Sequence, residues 1–272
     1  YNDDSARAFK LAADFAHREG YLVFGHTENA VESIRDGHDV IEHVWGFTQA
    51  AMTEDELESF QRGDHLTWAS FMTGRWDTLQ PMIEDAVAAG AYLNPTFLYE
   101  WGGMSRDAGP RELEEYRIGS NPHLVYYPEN IRLSLLAKHR QIKNFSSRYE
   151  NLPYVDMLPA EERRQFLQGY RNVQEFIDRW VEAGGKIQAG TDTVSGGMPG
   201  LVLHQEMQML VEAGLTPMQA IKSATRWSAE LWRPTGPAAG ERDGRRPGRP
   251  GRRGARLAAG AARPPRPGEH GG

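Results

Sequence analysis

Short, largely apolar runs alternate with helical patterns along most of the chain. Three runs end at a histidine or an aspartate: residues 22–25 at His26, residues 39–42 at His43, and residues 186–189 at the Gly-Thr-Asp corner that contains Asp192. A fourth run, residues 91–94, is stopped by Pro95. Runs of this length, bounded by turn residues, are typical of buried strands.

The segments between these runs have the spacing of helices. Thr53 with Glu56 is a capping-box pattern that predicts a helix over residues 54–62. The Thr216-Pro217 pair predicts a final helix running to about residue 231. Further helices are predicted over residues 5–19, 30–35, 79–89, 130–143, 159–168 and 170–183, and one more carries Leu203, Met207, Leu210 and Val211 on an apolar face. Strand, helix, strand with short connections predicts an α/β fold with a parallel sheet.

A long insertion from about residue 97 to residue 185 interrupts this alternation. It is rich in tyrosine, tryptophan, proline and charge. A connection of this length carries structure of its own, and its usual role is that of a lid or a pocket wall.

Composition limits the classes of protein that fit. The 272 residues include 39% hydrophobic and 25% charged residues and no cysteine, which excludes disulfides and thiolate metal sites. No apolar run is long enough to span a membrane, so no membrane partner is expected. The net charge is −6, and the first 232 residues are more acidic still because many arginines lie beyond them. An acidic main body argues against a nucleic-acid partner.

The last segment, residues 233–272, consists mainly of Gly, Arg, Pro and Ala and cannot form a core. One interpretation is a disordered basic tail that contacts nucleic acid or an acidic partner. We favour another: these residues have GC-rich codons, so a shifted reading frame would produce this mixture. Residues 1–232 then form one domain, and another frame of the same DNA should encode strand-like sequence.

His26, His43 and Asp192 form a candidate metal site, since all three follow predicted strands. Imidazole and carboxylate groups suit Zn²⁺ and similar divalent ions, and a hydrolytic site needs an open position for water. Each residue alone has a simpler explanation: a histidine at a strand end is often structural, and Asp192 could cap a helix. The occurrence of all three residues after predicted strands favours a functional metal site. No P-loop, dinucleotide or serine-nucleophile motif is present, and Ser195 with His204 lacks the strained turn of a nucleophile.

Four motifs in this order resemble those of strands five to eight of the amidohydrolase superfamily. They are Gly25-His26, residues 39–43 ending in His43, Asn94-Pro95-Thr96, and residues 189–192 ending in Asp192. The run after the last strand, residues 200–217, is similar to that of the imidazolonepropionase- and prolidase-like branch. The resemblance covers about residues 5–232.

This resemblance implies a TIM-type (β/α)8 barrel, of which the chain covers roughly strands 5 to 8, with the insertion between strands 7 and 8. His26, His43 and Asp192 would bind one or two divalent metal ions, expected to be zinc. Asp192 would also take a proton from the attacking water. The implied reaction is hydrolysis of a C–N bond in a small amide or cyclic amide. Candidate pocket residues are Glu28, Thr96, Tyr99, Trp101 and His204.

Two departures from the family bear on activity. The first-strand His-x-His pair and the fourth-strand lysine or glutamate are absent, as are the final strands of the small β-domain. We therefore expect a fragment that is not competent alone, with its true N-terminus missing. A phosphotriester or lactone hydrolase, and a non-catalytic barrel that binds a ligand, remain alternatives. The sequence leaves room for a homo-oligomer, and a cytoplasmic location is favoured without excluding a signal peptide.

Overall fold

Four short parallel strands form the centre of the fold. The computed structural model describes residues 3–62, 75–101, 122–130, 132, 159–192 and 200–232. The strands are β1 (Phe24–Gly25), β2 (Val40–Glu42), β3 (Tyr92–Asn94) and β4 (Lys186–Ile187), and they are neighbours in the same order as along the chain. The predicted α/β class with a parallel sheet is confirmed. The closed eight-stranded barrel stays a prediction.

Helices connect and cover these strands. In chain order they are α1 (Asp3–Arg18), α2 (Ala30–Arg35), α3 (Trp45–Ala51), α4 (Glu54–Gln61), α5 (Trp76–Ala88), α6 (Phe97–Trp101), α7 (Ala160–Glu182), α8 (Leu201–Glu212), α9 (Pro217–Ser223) and α10 (Arg226–Leu231), with a 3-10 turn at Pro122–Tyr126. The capping box of Thr53 and Glu56 at the start of α4 is present. None of the described helices is both long enough and apolar enough to cross a membrane.

The register of the sheet brings the ends of the strands to one edge. Val40 pairs with both Phe24 and Tyr92, and Glu42 pairs with Asn94. Beyond the last strand pair, the backbone N–H of His43 donates to the carbonyl of Asn94 at 2.7 Å. Residues that follow the strands therefore meet at the carboxyl edge, where open parallel sheets and barrels place their sites.

Strand β1 is shorter than the predicted run of residues 22–25. The Val23 N–H donates to the side chain of Asp39 at 2.7 Å, and the Val23 carbonyl accepts from the Asp39 N–H at 2.8 Å. A carboxylate thus replaces one backbone partner of the ladder, which limits β1 to Phe24–Gly25.

The hydrophobic core lies between the sheet and its helices. Ile41, Leu93 and Ile187, one from each of three strands, are fully buried in it. The ring of Phe47 on α3 contacts Phe176 and Trp180 on α7 at centroid distances of 5.2 and 5.6 Å. Because successive strand residues point to opposite faces, Val40 and Tyr92 belong to a second cluster with Leu231 of α10.

Three helix predictions are corrected. Residues 159–168 and 170–183 form one helix, α7, because the buried side chains on both sides of Gly169 hold that helix against the core. The final helix is two, α9 and α10, because the Ser223 carbonyl accepts from the Ala189 N–H instead of continuing the helix. The predicted apolar face of α8 is rotated: Val211 is exposed, whereas Gln205 and Glu206 are buried.

Short helices α3 and α6 directly follow strand ends and were not predicted. Most of the predicted helix over residues 130–143 lies outside the described residues. The same holds for the segment 233–272, so its assignment to an altered reading frame stays a prediction.

Candidate functional site

A cavity of about 470 Å³ opens at the carboxyl edge of the sheet. Residues at or beyond the ends of all four strands line it: Phe24, Gly25, His26, Glu42, His43, Asn94, Thr96, Thr191 and Asp192. The structure thus brings together all three predicted metal ligands and the predicted pocket residue Thr96.

His26 and His43 face each other across this cavity. Their Nε2 atoms are 3.0 Å apart, and His43 is 2% exposed whereas His26 is exposed. The ring of Trp45, the first residue of α3, stacks on His43 at 4.7 Å. A hydrogen bond between them requires one Nε2–H to donate and the other Nε2 to accept through its lone pair.

Thr96 contacts the other nitrogen of the His43 ring. Its hydroxyl oxygen lies 2.5 Å from His43 Nδ1. A histidine ring presents Nε2 as a lone pair when Nδ1 holds the proton, and in that state Nδ1 donates to the Thr96 hydroxyl oxygen; in the other tautomer the hydroxyl donates to Nδ1. Thr96 therefore contacts the nitrogen whose protonation decides whether His43 Nε2 has a lone pair.

Three lining residues have left-handed backbone conformations. The φ angles of His43, Thr96 and Asp192 are 61°, 41° and 42°. Such conformations cost about 1–3 kcal/mol each for residues other than glycine and are often found at functional sites. Within the described residues, the positive φ values outside glycine all lie in this cavity.

Glu42 is a cavity residue that the sequence analysis did not select. Burial raises the pKa of its carboxyl, and the negative charge of Asp192 adds to this, while a hydrogen bond from Asn94 and the nearby His43 act in the opposite direction. A signal was available in the sequence: strand alternation places Glu42 on the same face as Val40, two residues earlier, so it cannot share the face of the apolar Ile41.

The donor set fits a divalent metal in part. In a tetrahedral site with Zn–N bonds of about 2.0–2.1 Å, two nitrogens lie roughly 3.3 Å apart. The facing Nε2 atoms of His26 and His43 are close to this separation. In the part of the chain that the structure describes, however, no three His, Asp or Glu side chains form a group that could hold a metal. His26 and His43 supply two imidazole nitrogens at a suitable separation, and Asp192 lines the same cavity without completing the set.

The other predicted pocket residues lie elsewhere. Glu28 is exposed in the loop before α2, and His204 is exposed on α8. Trp101 is buried in the core, with its ring 6.1 Å from that of Tyr170. Tyr99 belongs to α6, and its side chain is outside the described part of the structure.

Comparison with known proteins gives a structural similarity. No protein-family model matches the chain, and no curated protein matches it. Among solved structures, the chain is similar to the bottromycin amidohydrolase AH, at 19% sequence identity and a TM-score of 0.47, over 82% of this chain and 43% of that one. The chain thus spans less than half the length of that protein.

Proposed function

We propose that this chain carries part of the site of a metal-dependent hydrolase that cleaves a C–N bond in a small amide or cyclic amide. The observation that carries the proposal is the 3.0 Å approach of His26 Nε2 and His43 Nε2 in a cavity that Asp192 also lines. The sequence motifs that end at these residues support it.

The proposed fold is the strand 5 to 8 portion of a (β/α)8 barrel. Its support is the order of the sheet: parallel strands that are neighbours in chain order, each followed by helical structure, are wound as in such a barrel. Ligands in that fold come from the carboxyl ends of different strands, which is where His26, His43 and Asp192 occur.

In the proposed site, His26 and His43 bind one or two divalent ions, zinc in the first instance, through their Nε2 atoms. When bound, the metal polarises the carbonyl and makes water a nucleophile near neutral pH. The carboxylate of Asp192 accepts the proton of the attacking water and passes it to the leaving nitrogen. Thr96 holds His43 with its Nε2 lone pair towards the cavity.

Metal titration of the full chain tests the site itself. Cobalt(II), a spectroscopic substitute for zinc, should bind to the wild type and give the absorption spectrum of a nitrogen- and oxygen-ligated ion. His26→Ala and His43→Ala should each abolish that spectrum. His17→Ala is the matched control, because His17 lies on α1 and pairs with Asp39 outside the cavity. An unchanged spectrum in both cavity variants would contradict the metal site.

A substrate panel tests the reaction. Metal-loaded chain is offered linear amides, cyclic amides, phosphotriesters and lactones, with Asp192→Asn as the control for cavity-dependent turnover. Hydrolysis of amides that is lost in Asp192→Asn supports the proposed class. Selective hydrolysis of phosphotriesters or lactones would overturn the C–N assignment. Bound metal without turnover is the result expected of a chain that carries only part of the site, and it does not distinguish the hydrolase from a binding role.

A further inference from the structure

We propose that Glu206 is a positioning residue for this cavity. Its buried carboxylate holds the turn at Thr96, and that turn sets the orientation and the tautomer of His43. The proposed role of Glu206 is conformational and can be tested without turnover, although its value for catalysis rests on the proposed function.

Glu206 is an acidic residue whose side chain is fully buried, which is uncommon. It is 0% exposed, on the face of α8 that packs towards the core. Its Oε1 accepts from the Phe97 N–H at 2.9 Å, and its Oε2 accepts from the Leu98 N–H at 2.6 Å. Both carboxylate oxygens thus have backbone partners from a segment more than a hundred positions earlier in the chain.

Phe97 and Leu98 are the first two residues of α6. The first N–H groups of a helix have no acceptor within the helix and need one from elsewhere. A carboxylate is well suited, because hydrogen bonds to a charged acceptor are stronger than neutral ones and negative charge is favoured at a helix N-terminus. Glu206 therefore determines where α6 starts.

Thr96 immediately precedes these two residues and has a φ of 41°. A left-handed threonine is strained, so the turn persists when its neighbours hold it. On one side, the His43 N–H donates to the Asn94 carbonyl. On the other side, Glu206 holds Phe97 and Leu98. The Thr96 hydroxyl lies between these two attachments, 2.5 Å from His43 Nδ1.

The consequence for His43 follows from the two nitrogens of its ring. If Nε2 is to present a lone pair to the cavity, Nδ1 must carry the proton and donate to the Thr96 hydroxyl. A turn that moves lets this bond lengthen, and the ring then exchanges between its two tautomers. Glu206 prevents this exchange without touching the ring.

The test is NMR of metal-free protein with ¹⁵N-labelled histidine, at a pH well above the usual histidine pKa of about 6.5. Long-range ¹H–¹⁵N correlations show which ring nitrogen carries the proton. Wild-type His43 should show a single tautomer with Nδ1 protonated and two well-separated ¹⁵N shifts. In Glu206→Gln the two shifts should move towards each other, because the amide cannot accept from both N–H groups.

Two controls separate positioning from general destabilisation. Glu212→Gln makes the same substitution on the same helix and weakens a hydrogen bond from the Tyr170 hydroxyl, 2.8 Å away, without removing an acceptor of the Phe97 or Leu98 N–H. It should leave the His43 shifts in place. His38, a buried histidine stacked on Phe9, reports on the rest of the fold and should be unchanged in every variant. If Glu206→Gln does not fold, Glu206→Asp keeps the charge and shortens the reach.

A double substitution tests whether Glu206 affects His43 through Thr96. Thr96→Val removes the hydroxyl and should shift His43 as Glu206→Gln does or further. If Glu206 acts through Thr96, the double variant should have the same His43 shifts as Thr96→Val alone. The proposal would be overturned by any of three results. The shifts of the double variant could be the sum of those of the single variants. Neither Glu206→Gln nor Glu206→Asp could change the His43 shifts, or wild-type His43 could already exchange between tautomers. Failure of metal binding or turnover alone would affect only the proposed function.

Discussion

The face of the sheet towards the helices and its carboxyl edge differ in the residues that they bury and in their backbone conformations. Towards the helices, Ile41, Leu93 and Ile187 are fully buried and pack against an aromatic core in ordinary strand and helix conformations. At the carboxyl edge, His43 and Thr96 are also buried, yet they have positive φ angles and face a cavity. The first region stabilises the fold by removing apolar surface from water. The second holds polar groups in strained positions that the first region must support, and this contrast is typical of a functional site.

The largest expected effect on stability comes from the core side. Phe47→Ala should lower the free energy of unfolding by about 3–5 kcal/mol, because it removes a fully buried ring that contacts Phe176 and Trp180. Urea denaturation measures this loss. Phe15→Ala is the matched control, since Phe15 is 57% exposed, and it should change stability by less than about 0.5 kcal/mol. Equal losses in both variants would contradict the assigned core.

Truncation of a buried ring at the cavity should affect cobalt(II) affinity more than the free energy of unfolding. His43→Ala should weaken cobalt(II) binding by at least about 100-fold, since losing even a hydrogen-bonding partner of a metal ligand costs about 10–100-fold. Isothermal titration measures the affinity, and urea denaturation measures the stability. A stability loss as large as that of Phe47→Ala with unchanged cobalt affinity would make His43 a structural residue.

Gly190→Ala probes the contact between the two sides of the cavity. A Cβ atom at this position would collide with the side-chain amide of Asn94, which also donates to Glu42. We expect a loss of about 1–3 kcal/mol in unfolding free energy from this overpacking, measured by urea denaturation. The double variant Gly190→Ala with Asn94→Ala should recover part of the loss. If the double variant loses as much unfolding free energy as the two single variants together, the collision is relieved in another way.

The smallest effect concerns a surface ion pair away from both regions. Arg75 binds both carboxylate oxygens of Glu56, and its guanidinium lowers the pKa of Glu56 to about 2. A lowered pKa gives stability that is present above the unfolded-state value of 4.5 and is lost as pH falls towards 2. Arg75→Ala should flatten the pH dependence of thermal unfolding in this window, at a cost below about 1 kcal/mol for such an exposed pair. A wild-type profile that is already flat there would contradict the assignment.

Local pattern was enough to predict most elements. The capping box at Thr53 and the Thr216-Pro217 pair mark the starts of α4 and α9, because both signals involve residues no more than three positions apart. The same reasoning placed a polar residue at each of three strand ends. It was wrong where packing outweighs local preference: Gly169 lies inside α7, and the Ser223 carbonyl ends α9 by accepting from Ala189.

What the amino-acid order determined by itself is most of the strands and helices, the parallel arrangement of the strands, and the presence of His26, His43 and Asp192 beyond strand ends. Only the tertiary structure decided that His43 meets Thr96, that Glu42 lines the cavity, and that Trp101 belongs to the core. Glu206 shows the reason most clearly, because its partners lie on a helix 108 and 109 positions away. Helical and strand periodicity relates near neighbours, whereas contacts between distant segments depend on how whole elements pack.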